Sequence, residues 1–181
     1  MIYQVKYSRD YMYFVMGDLE ILSIMPDFNL YDFGGDLSFE WLTPPGEFIK
    51  SDGGSIKLPD VACWGDTRPV LNAKAHERLA PFLNSFGEFL PVSVEGITYF
   101  MYNLKIQLGE EIVDTDNCKV VMQDGYQVDV DQMVFFNDKV NDDETPLFSV
   151  EFDRGVRLFC GDRFKNLIES EGLSGLTFEK V

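Results

Sequence analysis

The sequence has few of the residues on which most enzymes depend. It contains one histidine, His76, and three cysteines that are far apart and form no Cys-x-x-Cys pair: Cys63, Cys118 and Cys160. This pattern offers no zinc-ligand spacing and argues against a disulfide framework, so we expect reduced, buried thiols in a cytoplasmic protein. A catalytic Cys–His pair would require His76 to lie beside one of these thiols. Because its neighbours are charged residues of a predicted helix, we expect His76 on a solvated face.

Positive charge is also scarce. Lysine and arginine number 15 against 31 acidic residues, which gives a formal net charge of −16. Polyanion binding needs clustered basic residues, so this balance argues against binding to nucleic acid or to an anionic membrane surface. No apolar run approaches the roughly 20 residues that span a bilayer, and the N-terminus does not follow the pattern of a signal peptide. An acidic protein of this kind is suited to a basic protein partner.

Negative charge is concentrated in one part of the chain. Residues 109–153 contain thirteen acidic residues and two lysines, a balance of −11 within the total of −16. One interpretation is that this charge only keeps the protein soluble. The other is that carboxylates on a rigid sheet imitate a phosphate backbone and steer a basic protein onto the surface. The predicted contact residues are Asp114, Asp116, Asp124, Asp129, Asp131, Asp142, Asp143 and Glu144.

Two acidic spacings within this window resemble ligand or catalytic patterns. Asp114-Thr-Asp-Asn117 begins like a calcium-binding loop, but the sixth position is Lys119 and the twelfth is Gly125, so the EF-hand pattern fails. Asp129 and Asp131 alternate with valines, so on a strand both carboxylates face one side. Such a pair either binds a metal, performs acid–base chemistry on a glycoside, or forms the solvent face of a half-buried hairpin. We favour the solvent face and expect neither metal nor cofactor.

Periodicity and turn residues predict an α+β fold, rich in strands, with a mixed or antiparallel sheet, hairpins and two or three short helices. Glu95-Gly96 and Asp124-Gly125 have the composition of two-residue hairpin turns. They join predicted strands at 88–94 and 97–104, and at 118–123 and 126–136. Further strands are predicted at residues 2–7, 147–152, 156–160 and 176–180.

Helix signals are present at two places. Asn72 is predicted to cap a helix whose inner face contains Ala75 and Leu79, and Pro81 should end or kink it. Asp162 is predicted to cap a final helix that ends at Gly172. Residues 26–59 are rich in Gly, Asp and Pro, including Asp52-Gly53-Gly54, and are predicted to form long loops. The predicted organisation is a variable N-terminal region, 1–58, packed on a main domain, 59–181.

Several segments of the main domain resemble a bacterial family. Residues 70–83 match a capped helix with a Leu-x-Pro-Leu-like end, and 87–94 match a Glu-Leu-Leu-Pro-like strand. Residues 99–104 match a Tyr-Tyr-x-x-Asn strand, and 158–181 match a Phe-[Arg/Lys] helix followed by a Gly-Leu-x-Phe strand. This pattern resembles an immunity-protein domain, also catalogued as a domain of unknown function, found beside toxin genes in polymorphic-toxin and type VI secretion loci. The matching motifs are caps, turns and core strands.

The resemblance implies a cytoplasmic antitoxin without enzymatic activity that binds one cognate toxin in a 1:1 heterodimer. Toxins of such loci include DNases and other nucleases, and the acidity of this chain fits a basic nuclease surface. Two alternatives stay open. One is a carboxylate-dependent hydrolase that reverses the toxin's modification, which requires a concave site with convergent acids. The other is a non-catalytic structural domain whose charge serves solubility.

Overall fold

Three α-helices and thirteen strands form an α+β fold in the computed structural model, which describes residues 1–50, 54–65 and 67–181. The predicted fold class is confirmed. Of the predicted turn at Asp52-Gly53-Gly54, the first two residues lie outside the described residues. The helices are α1 (Asp18–Ile24), α2 (Ala73–Leu83) and α3 (Asp162–Ser170). The strands are β1 (Tyr3–Tyr7), β2 (Tyr13–Val15), β3 (Glu47–Ile49), β4 (Val61–Trp64), β5 (Arg68–Leu71), β6 (Gly87–Val94), β7 (Ile97–Leu104), β8 (Gln107–Leu108), β9 (Lys119–Gln123), β10 (Tyr126–Gln132), β11 (Leu147–Val150), β12 (Leu158–Cys160) and β13 (Leu176–Lys180).

Two larger sheets and two separate strand pairs contain these strands. The five-stranded sheet has the order β13-β1-β12-β11-β8, and the four-stranded sheet has the order β4-β5-β7-β6. β2 pairs with β3, and β9 pairs with β10. All pairings are antiparallel except that of β11 with β8. Among the described residues, no helix is both long and apolar enough to cross a membrane.

Both predicted hairpin turns are confirmed. Glu95 and Gly96 have φ values of 50° and 81°, and Asp124 and Gly125 have 52° and 84°. Positive φ at both central residues is the geometry of the type I′ turn, whose twist matches that of the flanking strands. The second hairpin is shorter than predicted, because β10 ends at Gln132 and the chain then turns inward.

Three apolar clusters form the core. The first lies between the helices α2 and α3 and the two larger sheets and includes Leu79, Tyr102 and Phe164. The second joins the N-terminal segment to the four-stranded sheet, and in it Phe14 and Ile21 pack with buried residues of β6 and β7. The third contains the aromatic side chains Phe135, Phe148 and Phe159, together with Val130 and Val150. β1 is an inner strand of the five-stranded sheet and pairs with β12 and β13, so the first part of the chain is joined directly to the last part.

Helix α2 follows the predicted cap and face. Asn72 Oδ1 accepts a hydrogen bond of 2.8 Å from the Ala75 backbone N–H, and Ala75, Leu79 and Leu83 are buried. Pro81 lies in the last turn, and the helix ends at Leu83. Proline has no N–H to donate to the Glu77 carbonyl, so the helix loses one hydrogen bond in its last turn and ends two residues later.

The predicted cap of α3 is wrong. Gly161 occupies the N-cap position, and the Asp162 carboxylate instead accepts a hydrogen bond of 2.6 Å from the amino group of Met1. The pairing of β1 with β12 brings these two groups together. The capping contact comes from Asp142, whose Oδ2 accepts a hydrogen bond of 2.9 Å from the Arg163 backbone N–H. A residue twenty positions upstream of a helix cannot be recognised as its cap from local sequence.

Asp60 ties the start of α2 to the connection between α3 and β13. Its Oδ2 accepts hydrogen bonds of 2.9 Å and 2.8 Å from the backbone and side chain of Ser174, and its Oδ1 accepts one of 3.0 Å from Asn72. Burial alone would raise the pKa of Asp60, but these hydrogen bonds outweigh it and lower the pKa below the ordinary 3.8.

We expect the substitution Asp60→Asn to lower the free energy of unfolding by about 1–3 kcal/mol at pH 7, because an amide cannot accept all these bonds. Because the folded state lowers the pKa of this carboxyl, its ionised form stabilises the fold at pH values above the pKa of the unfolded state. That stabilisation is lost as the pH falls through the pKa of the folded state. The variant should therefore lose less stability than the parent on acidification below the ordinary 3.8 of this carboxyl. Urea unfolding across this range tests this, with the exposed Asp27→Asn as control. Parallel pH profiles would contradict it.

Candidate functional site

The hairpin of β9 and β10, within the acidic window, is largely exposed to solvent. Among the described residues, these strands pair only with each other, and all five residues of β9 are exposed. Apolar side chains are open to solvent on both strands, with Met122 at 56% and Tyr126 at 76% exposure. The others are Val120, Val121 and Val128. A contiguous exposed apolar patch rimmed by polar residues is typical of a protein–protein interface. We call residues 114–132 the acidic hairpin.

Strand β10 of the acidic hairpin is fixed to the body of the protein. Val130 is buried in the third core cluster. Gln127 Nε2 donates a hydrogen bond of 2.9 Å to the Phe152 carbonyl, and Arg154 Nη2 donates one of 2.8 Å to the Gln127 carbonyl. An isolated two-stranded hairpin is marginally stable in water, so these contacts hold the ribbon in one position.

Arg157 makes the remaining link through two carboxylates. Its Nη2 lies 2.6 Å from Asp129 Oδ1 in β10, and its Nη1 lies 3.5 Å from Asp153 Oδ2. A hydrogen bond from Arg157 lowers the pKa of Asp129. Burial raises the pKa of Asp153, whose side chain is 1% exposed, and Arg157 opposes that shift. The sequence reasoning missed Asp153 and Arg157 as a pair, although basic residues begin directly after the acidic window.

Four of the eight predicted contact residues have partners inside the fold. Asp129 pairs with Arg157, and Asp114 Oδ2 accepts a hydrogen bond of 2.8 Å from Asn117. Asp142 caps α3, and Asp143 forms an ion pair with the Arg163 guanidinium. These carboxylates already serve the structure, so binding a partner would require them to exchange or share their contacts.

The other four have neither an ion pair nor a side-chain hydrogen bond to any residue that the structure describes. Asp116 precedes β9, Asp124 is at the hairpin tip, Asp131 is in β10, and Glu144 is in the loop before β11. All four are exposed. The structure thus places five of the eight residues on the acidic hairpin and three in the loop before β11, where Asp142 and Asp143 contact Arg163 of α3.

The pairing of β10 around Asp129 and Asp131 is irregular. The pairing with β9 shifts between Gln127 and Asp129 and again between Val130 and Gln132, so β10 contains two bulges. Val130 is buried between its two exposed neighbours, as alternation predicts, but Val128, predicted on the same side, is exposed. A bulge bends and twists a strand and re-aims side chains, which gives these carboxylates an orientation that periodicity alone does not define.

A cleft with a volume of about 890 Å³ lies between β1, β2, β4 and β12. Tyr11, Tyr13, Trp64 and Arg157 are among its lining residues, and Asp129 is the one carboxylate among those described. That carboxylate is engaged by Arg157. The described lining therefore lacks the pair of convergent acids that the hydrolase alternative requires. No group of three or more His, Cys, Asp or Glu in the described chain could hold a metal ion.

His76 does not lie on a solvated face, which corrects the prediction. Its ring stacks on Phe100 with 3.8 Å between centroids and meets Phe89 edge-on at 4.7 Å. Burial lowers the pKa of His76, so the ring is neutral at pH 7. Burial also raises the pKa of the Cys118 and Cys160 thiols, which disfavours the thiolate form that a nucleophile needs.

A scan of protein-family models and a search of curated proteins found no match to this chain.

Proposed function

We propose that this chain is an immunity protein that binds and occludes a basic toxin of the nuclease class in a 1:1 complex in the cytoplasm. The observation that carries the proposal is the acidic hairpin, which exposes apolar side chains together with three carboxylates that have no partner among the described residues, Asp116, Asp124 and Asp131. The resemblance of residues 59–181 to immunity-protein domains supports the class of partner.

The apolar side chains supply the binding energy in this proposal. Protein interfaces depend on a few large side chains that become fully buried, and aromatic residues are the commonest among them. Tyr126 and Met122 are the largest exposed side chains of the hairpin, and both have most of their buriable area still open to solvent. The free backbone edges of β9 and β10 also allow a partner strand to add to the ribbon.

The carboxylates orient the partner and raise the rate of association in this proposal. Asp116, Asp124 and Asp131 can meet Lys and Arg of a partner without breaking an internal ion pair. Attraction between exposed charges reaches about 8 Å at physiological ionic strength, so a basic protein is steered toward this face as it approaches. Because the toxin's own nucleic acid substrate is a polyanion, the same basic surface that binds substrate would be covered by the acidic hairpin.

Charge reversal at unpaired carboxylates tests this proposal. We expect the double variant Asp124→Lys and Asp131→Lys to slow association with the toxin of the neighbouring reading frame at least about tenfold at low salt. The difference should shrink as salt is added, because screening removes the long-range term. Stopped-flow association rates at several salt concentrations provide the measurement.

The matched control is the double variant Glu95→Lys and Asp27→Lys. Glu95 occupies the same first position of a type I′ turn as Asp124, but in the β6–β7 hairpin, and Asp27 is exposed. This control changes the net charge by the same amount and should alter the rate by less than about threefold. Equal slowing in both double variants would show that total charge, not the acidic hairpin, guides association, and would contradict the proposed interface.

The hydrolase alternative gives a different result in a protection assay. Asp129→Asn and Asp131→Asn variants that still bind the toxin should still protect against it if occlusion is the mechanism. Loss of protection with retained binding would support catalysis and overturn occlusion.

A further inference from the structure

Arg68, the first residue of β5, is a largely buried cation without an acidic partner in the part of the chain that the structure describes. Its guanidinium lies 4.7 Å from the ring centre of Phe33 and 5.2 Å from that of Trp64. Its Nε is buried and donates no hydrogen bond, and its Nη atoms donate none to a described residue. Burial lowers the pKa of Arg68, and no carboxylate of the described residues opposes this shift. The rings stabilise the charge from the faces of the guanidinium, while its N–H groups have no acceptor among the described residues.

Arg68 lines a pocket of about 320 Å³ together with Arg154. Asn103, Gln107 and Ser149 contribute polar groups, and Phe33 belongs to the apolar side. No aspartate or glutamate is present among the described residues of the lining. In a chain with 31 acidic residues and 15 basic ones, two arginines and no carboxylate among the described lining residues are a local reversal of charge.

The second arginine is held in place by the backbone and by the acidic hairpin. Arg154 adopts the left-handed conformation, with φ of 62°, and is followed by Gly155 with φ of 69°. Its Nη2 donates to the Gln127 carbonyl, which uses one of its five N–H groups. Arg154 thus lines the pocket, and most of the donors of its guanidinium have no acceptor among the described residues.

We propose that this pocket binds an oxyanion, either a phosphate or a carboxylate group of a small molecule, between Arg68 and Arg154. Guanidinium groups match both anions through paired N–H donors, and an anion would satisfy the donors that have no acceptor among the described residues. The volume is near the lower end of the range for small-ligand pockets, so the ligand is no larger than a small metabolite. This site is separate from the carboxylates of the proposed toxin interface.

Titration of the ¹⁵N-labelled full chain tests the proposal by NMR. Inorganic phosphate is the probe in one arm, acetate in the second, and sodium chloride at equal ionic strength is the reference. We expect saturable shifts of the Arg68 and Arg154 side-chain Nε–H signals at millimolar concentrations of phosphate, acetate or both. Saturation by phosphate alone would assign a phosphorylated ligand, and saturation by acetate alone would assign a carboxylate. Shifts that stay linear up to about 20 mM in both arms would overturn the site.

Variants locate the binding. Arg68→Gln and Arg154→Gln should each weaken the affinity at least about tenfold, because each removes a charged pair of donors. Arg78→Gln removes the same charge outside the pocket, where Arg78 pairs with Glu171, and should change the affinity less than about twofold. If Arg68→Gln does not fold, Arg68→Lys is used instead. It keeps the positive charge but lacks the paired N–H donors of the guanidinium, and should weaken binding. Equal weakening in all variants would refute specific binding by these arginines.

Discussion

Replacing Arg157 by methionine should lower the free energy of unfolding by about 3 kcal/mol at pH 7. Methionine preserves much of the apolar stem of arginine but leaves the Asp153 carboxylate buried without its counter-charge. Two backbone N–H groups, including that of Gly155 at 3.1 Å, still donate to Asp153, which keeps the loss near the lower end for a broken buried ion pair. Urea unfolding at equal ionic strength provides the measurement.

The pH dependence of this loss identifies its cause. Burial raises the pKa of Asp153 in the folded protein, and removing Arg157 removes the main group that opposes that shift. The penalty exists while Asp153 is ionised in the folded state, so it should shrink as the pH falls through the raised pKa. A loss of stability that is constant between pH 7 and pH 5 would show that packing, not the buried charge, is responsible.

Two controls accompany this variant. Arg78→Met breaks an exposed ion pair with Glu171 and should cost less than about 1 kcal/mol. Arg157→Met combined with Asp153→Asn removes the unpaired charge and should recover most of the stability. An Arg157→Met protein as stable as Arg78→Met would contradict the structural role of the Asp129–Arg157–Asp153 link.

Gly175→Ala should destabilise the fold by about 4 kcal/mol. Gly175 has φ of 106°, which side chains rarely adopt, and a β-carbon there would press into the Val61 carbonyl oxygen and lie 2.6 Å from Cβ of Pro59. The backbone of this turn is also held in place, because Ser8 N–H donates to the Gly175 carbonyl and Val61 N–H donates to that of Ser174. The backbone segment around Val61 therefore cannot move away from position 175 without losing hydrogen bonds. Thermal and urea unfolding should both report the loss.

Gly172 provides the comparison for this substitution. It lies in the same connection between α3 and β13 and has φ of 59°, but a β-carbon there meets nothing within 4 Å. Gly172→Ala should therefore cost only the strain of the left-handed backbone, about 1 kcal/mol. Equal losses in the two variants would mean that the close approach to Val61 does not limit position 175.

Local patterns predicted the elements whose information is contiguous in the sequence. Asp124-Gly125 and Glu95-Gly96 define their turns through backbone preferences of two adjacent residues, and the flanking strands follow. Asn72 similarly caps α2 through a contact three residues away. The short α1 and β2 escaped prediction because their stability comes from burial of Phe14 and Ile21 against β6 and β7, which lie far along the chain.

The predicted site was limited in the same way. The sequence located the acidic window and the hairpin within it, because charge and turn residues are visible one residue at a time. It could not separate Asp129, which is paired with Arg157 from another strand, from Asp131, which is not. The exposed apolar residues of β9 were also missed as a surface, because Val-Val-Met in a strand usually indicates a core.

The open edge of β9 affects the tendency of the unbound protein to aggregate. A ribbon with free N–H and C=O groups and exposed valines is a template on which a second copy of the same strand can pair, and such pairing leads to aggregation. The extra residues in β10 distort one edge of that template, and the negative groups at the tip and in the ribbon repel an identical copy. Carboxylates that attract a basic protein therefore also oppose self-association of the unbound hairpin.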